Sequence, residues 1–218
     1  MVSRRSPKPF FHVRLMAGLP IMIKKILVLT GLHQESTLPL FKMMEGKLTK
    51  ALGVETEIFD CGWEKRKSFE EIEKKFDKKM ESVDGEVVLI GISAGMVVSL
   101  IAKNKYDDKI PKIISLCGWS RPKINLNELE RKKFWTLAKP NHVFKEGVEK
   151  YTKIYKNILP EVWENIMVYW AENDEFVPKS CCLHKGMKAT ELKIVEHVGG
   201  ILLGLTKTKE IREFINGR

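Results

Sequence analysis

The chain has 218 residues, of which 44% are hydrophobic and 30% are charged. This size and balance are typical of one globular domain with a large core, or of two small ones at most. No run approaches the roughly 18 apolar residues of a transmembrane helix, so no membrane-spanning segment is predicted. The chain contains four cysteines without a CxxC spacing, Cys61, Cys117, Cys181 and Cys182. They indicate neither a zinc site nor a disulfide framework, and we expect a cytoplasmic location.

The formal net charge is +10, and it is concentrated in two segments. Residues 1–25 carry six Lys or Arg and no acidic residue, and residues 121–160 carry ten against four Glu. Basic segments can bind nucleic acid, anionic lipid or acidic substrates, although more often they only keep a protein in solution. Because no basic motif with interleaved aromatic residues is present, nucleic acid is not an expected partner.

Residues 1–21 differ in character from the rest of the chain. The run Ser3-Arg4-Arg5-Ser6 is similar to a twin-arginine export signal, but charged residues and Pro20 interrupt the segment that should be apolar. We therefore predict a basic N-terminal extension over 1–21, either with little part in the fold or with one added edge strand at 10–15. The domain itself is predicted over 22–218.

From residue 25 onward, short apolar runs alternate with amphipathic helix patterns, which predicts an α/β fold with a doubly wound, mostly parallel sheet. Continuously apolar runs predict central strands, and runs that alternate with charges predict edge strands. The strands carrying charges, 54–58 and 192–195, are therefore expected at the two edges, which gives the spatial order 2-1-3-4-5-6. The predicted strands are 26–29, 54–58, 87–90, 113–117, 166–170 and 192–195.

Residues 119–160 interrupt this alternation. The segment is basic, and aromatic and aliphatic residues between Phe144 and Ile158 recur at helical spacing. We predict a helical insertion here that serves as a lid or as a wall of the substrate pocket.

The motif Gly91-Ile92-Ser93-Ala94-Gly95 lies between an apolar strand pattern and an apolar helix pattern. In that context Gly-x-Ser-x-Gly is typical of a nucleophile elbow, in which a strained turn exposes the serine hydroxyl at the start of a helix. The alternative is an ordinary glycine-rich turn of a parallel sheet, with Ser93 as the helix N-cap.

Two further candidate residues follow the last two predicted strands. Asp174 lies in the loop after the fifth strand, and His197 follows the sixth. Because the carboxyl ends of parallel strands lie at one edge of a sheet, Ser93, Asp174 and His197 are predicted to meet there. The motif around Ser93, the run Asn-Asp-Glu-Phe-Val-Pro and the later histidine resemble the α/β-hydrolase superfamily, in particular its compact serine esterases. The resemblance covers about residues 22–218.

The resemblance implies a serine hydrolase that cleaves an ester, thioester or related acyl bond of a small molecule through an acyl-enzyme. Ser93 would be the nucleophile, His197 the general base and Asp174 the residue that orients the base. The backbone N–H groups of Leu32 and Ala94 would form the oxyanion hole. The resemblance implies neither a metal nor an organic cofactor.

Alternatives remain for the acid and the base. Glu172 and Glu175 lie near enough in the chain to take the acidic role, and His33 also leaves the sheet at the active edge. We expect His33 to line the oxyanion loop, and His142 and His184 to be surface or packing residues.

Two departures from the superfamily pattern are present. Many relatives carry His-Gly where this chain has Thr30-Gly31, and a histidine before the serine where it has Ile92. Neither departure removes a catalytic group. The alternative functions are a non-catalytic binding protein with a hydrolase-like fold and a nucleic-acid-associated protein that uses the basic segments.

Overall fold

A computed structural model describes residues 23–121, 127, 128, 132 and 141–217. Within them, six parallel strands form one sheet with the spatial order β2-β1-β3-β4-β5-β6, which confirms the predicted order and both edge strands. The strands are β1 (Ile23–Leu29), β2 (Thr56–Phe59), β3 (Glu86–Ile92), β4 (Ile113–Leu116), β5 (Ile166–Ala171) and β6 (Lys188–Leu192).

The central strands are apolar apart from Lys24, Lys25, Glu86 and Ser115, because both faces of the sheet are covered. Side chains that alternate along β1 enter two different core clusters, since successive residues of a strand point to opposite faces. Leu27 and Leu29 belong to one cluster, and Ile26 and Val28 belong to the other. None of these four side chains is accessible to solvent.

The helices divide between the two faces, as expected of a doubly wound sheet. The second to sixth helices pack on the face of Leu27, and the first and the last two pack on the face of Ile26. No described helix is long and apolar enough to cross a membrane. The helices are α1 (Leu38–Leu52), α2 (Phe69–Glu81), α3 (Gly95–Lys105), α4 (His142–Tyr155), α5 (Pro160–Glu164), α6 (Lys179–Cys182), α7 (His197–Thr206) and α8 (Thr208–Ile215).

The position of the last strand differs from the prediction. The strand lies at Lys188–Leu192, whereas the sequence pattern predicted residues 192–195. Ile194, which suggested a strand, has a φ of 58° and is 86% exposed, so it lies in a turn and contributes nothing to the core. An edge strand pairs on one side only, and its register here follows pairing with β5 and not an apolar pattern of its own.

The predicted insertion is described only in part. Residues 1–22, 122–126, 129–131 and 133–140 lie outside the described residues, so the N-terminal extension and the lid stay predictions. One helix of this segment, α4, packs in the same core cluster as α2 and α3 and has the role of a core helix. Its buried side chains are Val143, Phe144, Val148 and Tyr151.

Candidate active site

The turn between β3 and α3 holds Ser93 in a strained conformation. Its φ of 49° lies in the left-handed region, which is unfavourable for a residue with a Cβ. The Ser93 N–H donates to the carbonyl oxygen of Leu116 at 3.0 Å, and the N–H groups of Met96 and Trp119 donate to the Ser93 carbonyl at 3.2 and 3.3 Å. The neighbouring β4 and its loop therefore fix the turn at Ser93.

Both glycines of the motif are required by close approach of the backbone. A Cβ on Gly95 would lie 2.3 Å from the carbonyl oxygen of Leu29, and one on Gly91 would lie 2.8 Å from the Cα of Met96. The spacing Gly-x-Ser-x-Gly thus allows α3 to start directly against β1. This geometry is that of a nucleophile elbow.

Asp174 and His197 meet at the same edge of the sheet. Oδ2 of Asp174 lies 2.8 Å from Nδ1 of His197, and the two side chains are only 3% and 8% exposed. His197 is the first residue of α7, and its ring makes a T-shaped contact with the ring of Phe176 at a centroid distance of 5.3 Å. The carboxylate therefore holds the ring in a defined orientation and fixes the proton on Nδ1.

The other oxygen of Asp174 fixes the loop itself. Oδ1 accepts hydrogen bonds from the N–H groups of Phe176 at 2.9 Å and Val177 at 2.7 Å. Asp174 is thus both a turn-forming residue of its own loop and the partner of His197. Its carboxylate has little freedom to rotate, because each oxygen has its own donors.

The two neighbouring glutamates bind backbone and not the ring. Glu175 Oε2 accepts from the N–H of His197 at 3.0 Å, and Glu172 Oε2 accepts from the N–H of Ile194 at 3.1 Å. These contacts connect the acid loop to the turn before α7. The geometry therefore favours Asp174 over both glutamates as the partner of the imidazole.

Ser93 and His197 are not joined by a hydrogen bond as Asp174 and His197 are. Within the part of the chain that the structure describes, the Ser93 hydroxyl makes no hydrogen bond to the His197 ring. The structure thus brings Asp174 and His197 into direct contact and places Ser93 at the same strand ends without that second bond.

The loop after β1 packs directly on the elbow. A Cβ on Gly31 would lie 2.8 Å from the Cβ of Ser93. The N–H of Gly31 donates to Oε1 of Gln34, and the N–H of His33 donates to Oε1 of Glu64, each at 2.7 Å. The loop is therefore held on both sides of Leu32.

The N–H groups of Leu32 and Ala94 have no hydrogen-bond partner among the described residues. Ala94 is only 2% exposed, and buried N–H groups without a partner are rare in folded proteins. Two such donors beside the elbow have the character of an oxyanion hole, which binds the negative oxygen of a tetrahedral intermediate.

His33 does not approach Asp174. Its side chain is 61% exposed, and its Nδ1 lies 3.4 Å from Glu64 in the loop after β2. Its φ of 55° shapes the loop around Leu32. The expectation that His33 lines this loop agrees with its position.

Comparison with known proteins identifies the fold. No protein-family model matches the chain, and no curated protein sequence matches it significantly. Among solved structures, Est1E from Butyrivibrio proteoclasticus aligns with a TM-score of 0.60 at 14% identity, over 91% of this chain and 90% of its own. A monoacylglycerol lipase from Paleococcus ferrophilus aligns with a TM-score of 0.55 at 14% identity, over 90% and 96%. Olei00960, a hydrolase from Oleispira antarctica, aligns with a TM-score of 0.56 at 15% identity, over 89% and 92%.

The chain has the α/β-hydrolase fold. At identities this low the similarity concerns the fold alone, so the activity has to be argued from the residues of the site.

Cys117 was not identified from the sequence as a neighbour of Asp174 and His197. Its sulfur, a carboxylate oxygen of Asp174 and a ring nitrogen of His197 all lie within 4.8 Å of one another. Burial, followed by the negative charge of Asp174, raises the pKa of the Cys117 thiol to about 12. The rule that selected Asp174 and His197, position at a strand's carboxyl end, also applies to Cys117 at the end of β4.

A thiolate, a carboxylate and an imidazole are also ligands that zinc accepts. Metal binding requires deprotonated ligands, whereas burial keeps the Cys117 thiol protonated and Nδ1 of His197 is engaged with Asp174. The three groups therefore have the character of a protonated thiol beside a hydrogen-bonded carboxylate and imidazole rather than of a metal site.

The remaining described histidines lie elsewhere. Nε2 of His184 donates to the carbonyl oxygen of Ser120 at 3.1 Å, and the ring stacks on Trp163 with a centroid distance of 4.0 Å. Burial lowers the pKa of His184 to about 4, so the ring packs as a neutral group. His142 donates from Nε2 to the carbonyl oxygen of Lys67 at 2.9 Å. His184 is thus a packing residue and His142 a surface residue, within the expectation of surface or packing roles.

Proposed function

We propose that the protein is a serine hydrolase that cleaves a carboxyl ester, thioester or related acyl bond of a small molecule. Ser93 is the nucleophile, His197 the general base and Asp174 the residue that orients the base. One observation carries the proposal: the 2.8 Å contact between Asp174 and the buried ring of His197, at the sheet edge where a strained elbow presents Ser93.

The reaction follows from the proton positions. Nδ1 of His197 donates to Asp174, which leaves Nε2 as a proton acceptor. Nε2 takes the proton of the Ser93 hydroxyl as Oγ bonds to the substrate carbonyl carbon, and then gives it to the leaving group as the acyl bond breaks. Nε2 next deprotonates a water molecule that attacks the acyl-enzyme, and the returning proton restores the Ser93 hydroxyl.

Each tetrahedral intermediate carries a negative charge on the former carbonyl oxygen. The N–H groups of Leu32 and Ala94 are oriented donors for that charge. Their lack of partners among the described residues supports this role, since an N–H already engaged in the fold could not serve. Asp174 stays ionised throughout and stabilises the imidazolium that forms transiently.

The surroundings of His197 favour an apolar substrate. Phe176, Ile194 and Val198 lie within a few residues of Asp174 or His197 and are 39%, 86% and 58% exposed. One structural neighbour is a monoacylglycerol lipase, and another is described as a lipolytic enzyme. We therefore expect uncharged esters with apolar acyl chains to be better substrates than small charged ones. We also propose a cytoplasmic location, because all four cysteines are buried and free.

The experiment is labelling with a fluorophosphonate, which reacts covalently with an activated serine. We expect the wild-type protein to be labelled and Ser93→Ala to be unlabelled, with Ser99→Ala, a buried serine of α3, as the matched control. A panel of p-nitrophenyl esters from acetyl upward then ranks the acyl chains. Labelling that persists in Ser93→Ala would contradict the assignment of the nucleophile.

The absent hydrogen bond between Ser93 and His197 favours the second candidate, a non-catalytic binding protein of the same fold. Hydrogen bonds of catalytic groups are often long without substrate and tighten when it binds, so the observation does not decide against catalysis. A wild-type protein that folds, fails to react with fluorophosphonates and hydrolyses no ester of the panel would establish the binding protein instead.

A further inference from the structure

The backbone at the end of β4 turns the Cys117 side chain away from its expected face. Along β4, Ile113 belongs to one core cluster and Ile114 and Leu116 to the other, as alternation requires. The next residue, Cys117, should return to the first cluster but packs in the second. Its φ of 49° causes this reversal, in a region that is unfavourable for any residue except glycine.

Two neighbours hold Cys117 in that position. Its N–H donates to the carbonyl oxygen of Tyr169 in β5 at 2.8 Å. A Cβ on Gly200 would lie 2.8 Å from the Cys117 sulfur, so only glycine at this point of α7 leaves space for the thiol. The strained turn and the glycine together place the thiol against the pair formed by Asp174 and His197.

The observed hydrogen bonds of Asp174 leave one acceptor position of its carboxylate unused. A carboxylate offers about four acceptor positions. Two backbone N–H groups bind Oδ1 and the His197 ring binds Oδ2, which accounts for three of them. The Cys117 thiol is protonated, because burial and the charge of Asp174 raise its pKa to about 12. It can therefore donate to the carboxylate and has no other role in the proposed reaction.

Two further described titratable groups act on this cluster, Cys182 and Glu175. The pKa of the Cys182 thiol is raised by burial and then by the charge of Asp174. Cys182 lies in α6, and its sulfur is 3.9 Å from the carbonyl oxygen of Val177. Glu175 is engaged with the N–H of His197. Among the described residues, Cys117 is thus the thiol that shares a cluster with both members of the pair.

We propose that Cys117 is a positioning residue that donates an S–H hydrogen bond to the Asp174 carboxylate and thereby sets how strongly that carboxylate binds the His197 ring. The inference rests on the proposed hydrolase function. Without the thiol, the carboxylate is a stronger acceptor, holds the imidazolium more tightly and is less well oriented.

The kinetic test compares Cys117→Ala, which lacks the donor, with Cys117→Ser, which retains one. Cys117→Ala is expected to lower kcat about tenfold with KM unchanged, and to move the acid limb of the kcat/KM profile upward by about half a pH unit. Cys117→Ser should retain kcat within about threefold and move the acid limb slightly downward, because its hydroxyl is a stronger donor than the thiol. The matched control is Cys61→Ala, which removes a buried thiol that contacts Thr30 and not Asp174. Equal losses in the Ala and Ser variants with an unmoved acid limb would overturn the proposal and indicate space filling alone.

A second readout does not depend on turnover. The Nδ1 proton of His197 gives a downfield NMR signal whose shift follows the strength of its bond to Asp174. We expect the signal to move further downfield in Cys117→Ala and upfield in Cys117→Ser, because a hydroxyl is the stronger donor. If Cys117→Ala does not fold, the Ser variant alone decides, and an unmoved signal would refute the inference. Failure of the wild type to react with fluorophosphonates would instead count against the proposed function and leave this readout valid.

Discussion

Asp174→Asn changes one atom at the centre of the candidate site, and the structure determines how the amide must lie. The backbone N–H groups of Phe176 and Val177 both point at Oδ1, so the amide oxygen has to occupy that position. The amide NH₂ group then takes the place of Oδ2, 2.8 Å from Nδ1 of His197. Because NH₂ is a donor, Nδ1 must become an acceptor and the ring proton moves to Nε2. The base then holds a proton at the nitrogen that should receive one from Ser93.

The expected loss in kcat follows from this reversal of the His197 tautomer. In the Ser-His-Asp template, the same change lowers kcat by about 10⁴, which corresponds to roughly 5.4 kcal/mol at 1.36 kcal/mol per factor of ten. The variant keeps both backbone hydrogen bonds, so its thermal unfolding temperature should lie within a few degrees of the wild type. Steady-state kcat on the best p-nitrophenyl ester measures the first quantity, and circular dichroism measures the second.

Glu172→Gln and Glu175→Gln are the matched controls, because each also replaces a carboxylate of the acid loop by an amide. Both retain an oxygen for the backbone N–H that they bind. We expect each to lose less than tenfold in kcat. A loss below tenfold in Asp174→Asn, together with a larger loss in either control, would refute the reasoning and transfer the role to that glutamate.

The remaining predictions concern the base, the elbow and a packing histidine. His197→Ala should lower kcat nearly as much as Ser93→Ala, whereas His33→Ala should lose less than about tenfold, and the reverse order in steady-state assays would exclude this triad. Gly95→Ala should destabilise the fold by about 3 kcal/mol, because its Cβ would lie 2.3 Å from a carbonyl oxygen. Gly46→Ala, in α1 with no atom within 4 Å of the added Cβ, should stabilise it by up to about 1 kcal/mol in urea denaturation. His184, with its pKa lowered to about 4 by burial, favours the folded state when neutral, so stability should be full above about pH 6.5 and fall toward pH 4. His184→Gln should flatten that pH dependence, and an unchanged urea midpoint profile would contradict it.

The order of the strands could be predicted because burial on two faces leaves a strong signal in sequence. The predicted runs 26–29, 87–90 and 166–170 are apolar throughout and 113–117 nearly so, and a strand of that kind has to be covered on both sides. The charges in β2 indicated an edge strand, and the structure has it there. The predicted bounds of β6 were the least accurate and share only residue 192 with the strand, since at an edge the backbone pairing with β5 determines register and the side chains do not.

The sequence predicted which strand ends carry the site, but not which side chains meet there. The carboxyl-end rule gives the loop that contains Asp174, but three carboxylates occupy that loop within four residues. Oδ1 of Asp174 binds the backbone of the turn, and Oδ2 is thereby directed at His197. This arrangement depends on the conformation of the loop, which the composition of the sequence does not give. The position of the Cys117 thiol was hidden for the same reason, because a reversed backbone turn moved it to the opposite face.

Backbone strain gives an independent argument for this edge of the sheet. The described residues other than glycine that have a positive φ are His33, Ser93, Cys117 and Ile194. They follow β1, β3, β4 and β6, so each lies where a strand leaves the carboxyl edge. Conformations of this kind cost on the order of 1 to 3 kcal/mol each, against a total stability of about 5 to 15 kcal/mol for a typical domain. Such a cost persists only where the surrounding structure enforces it, and such residues cluster at functional sites. The strain therefore identifies the same edge as the contact between Asp174 and His197, and it does so without any assumption about which residue is the nucleophile.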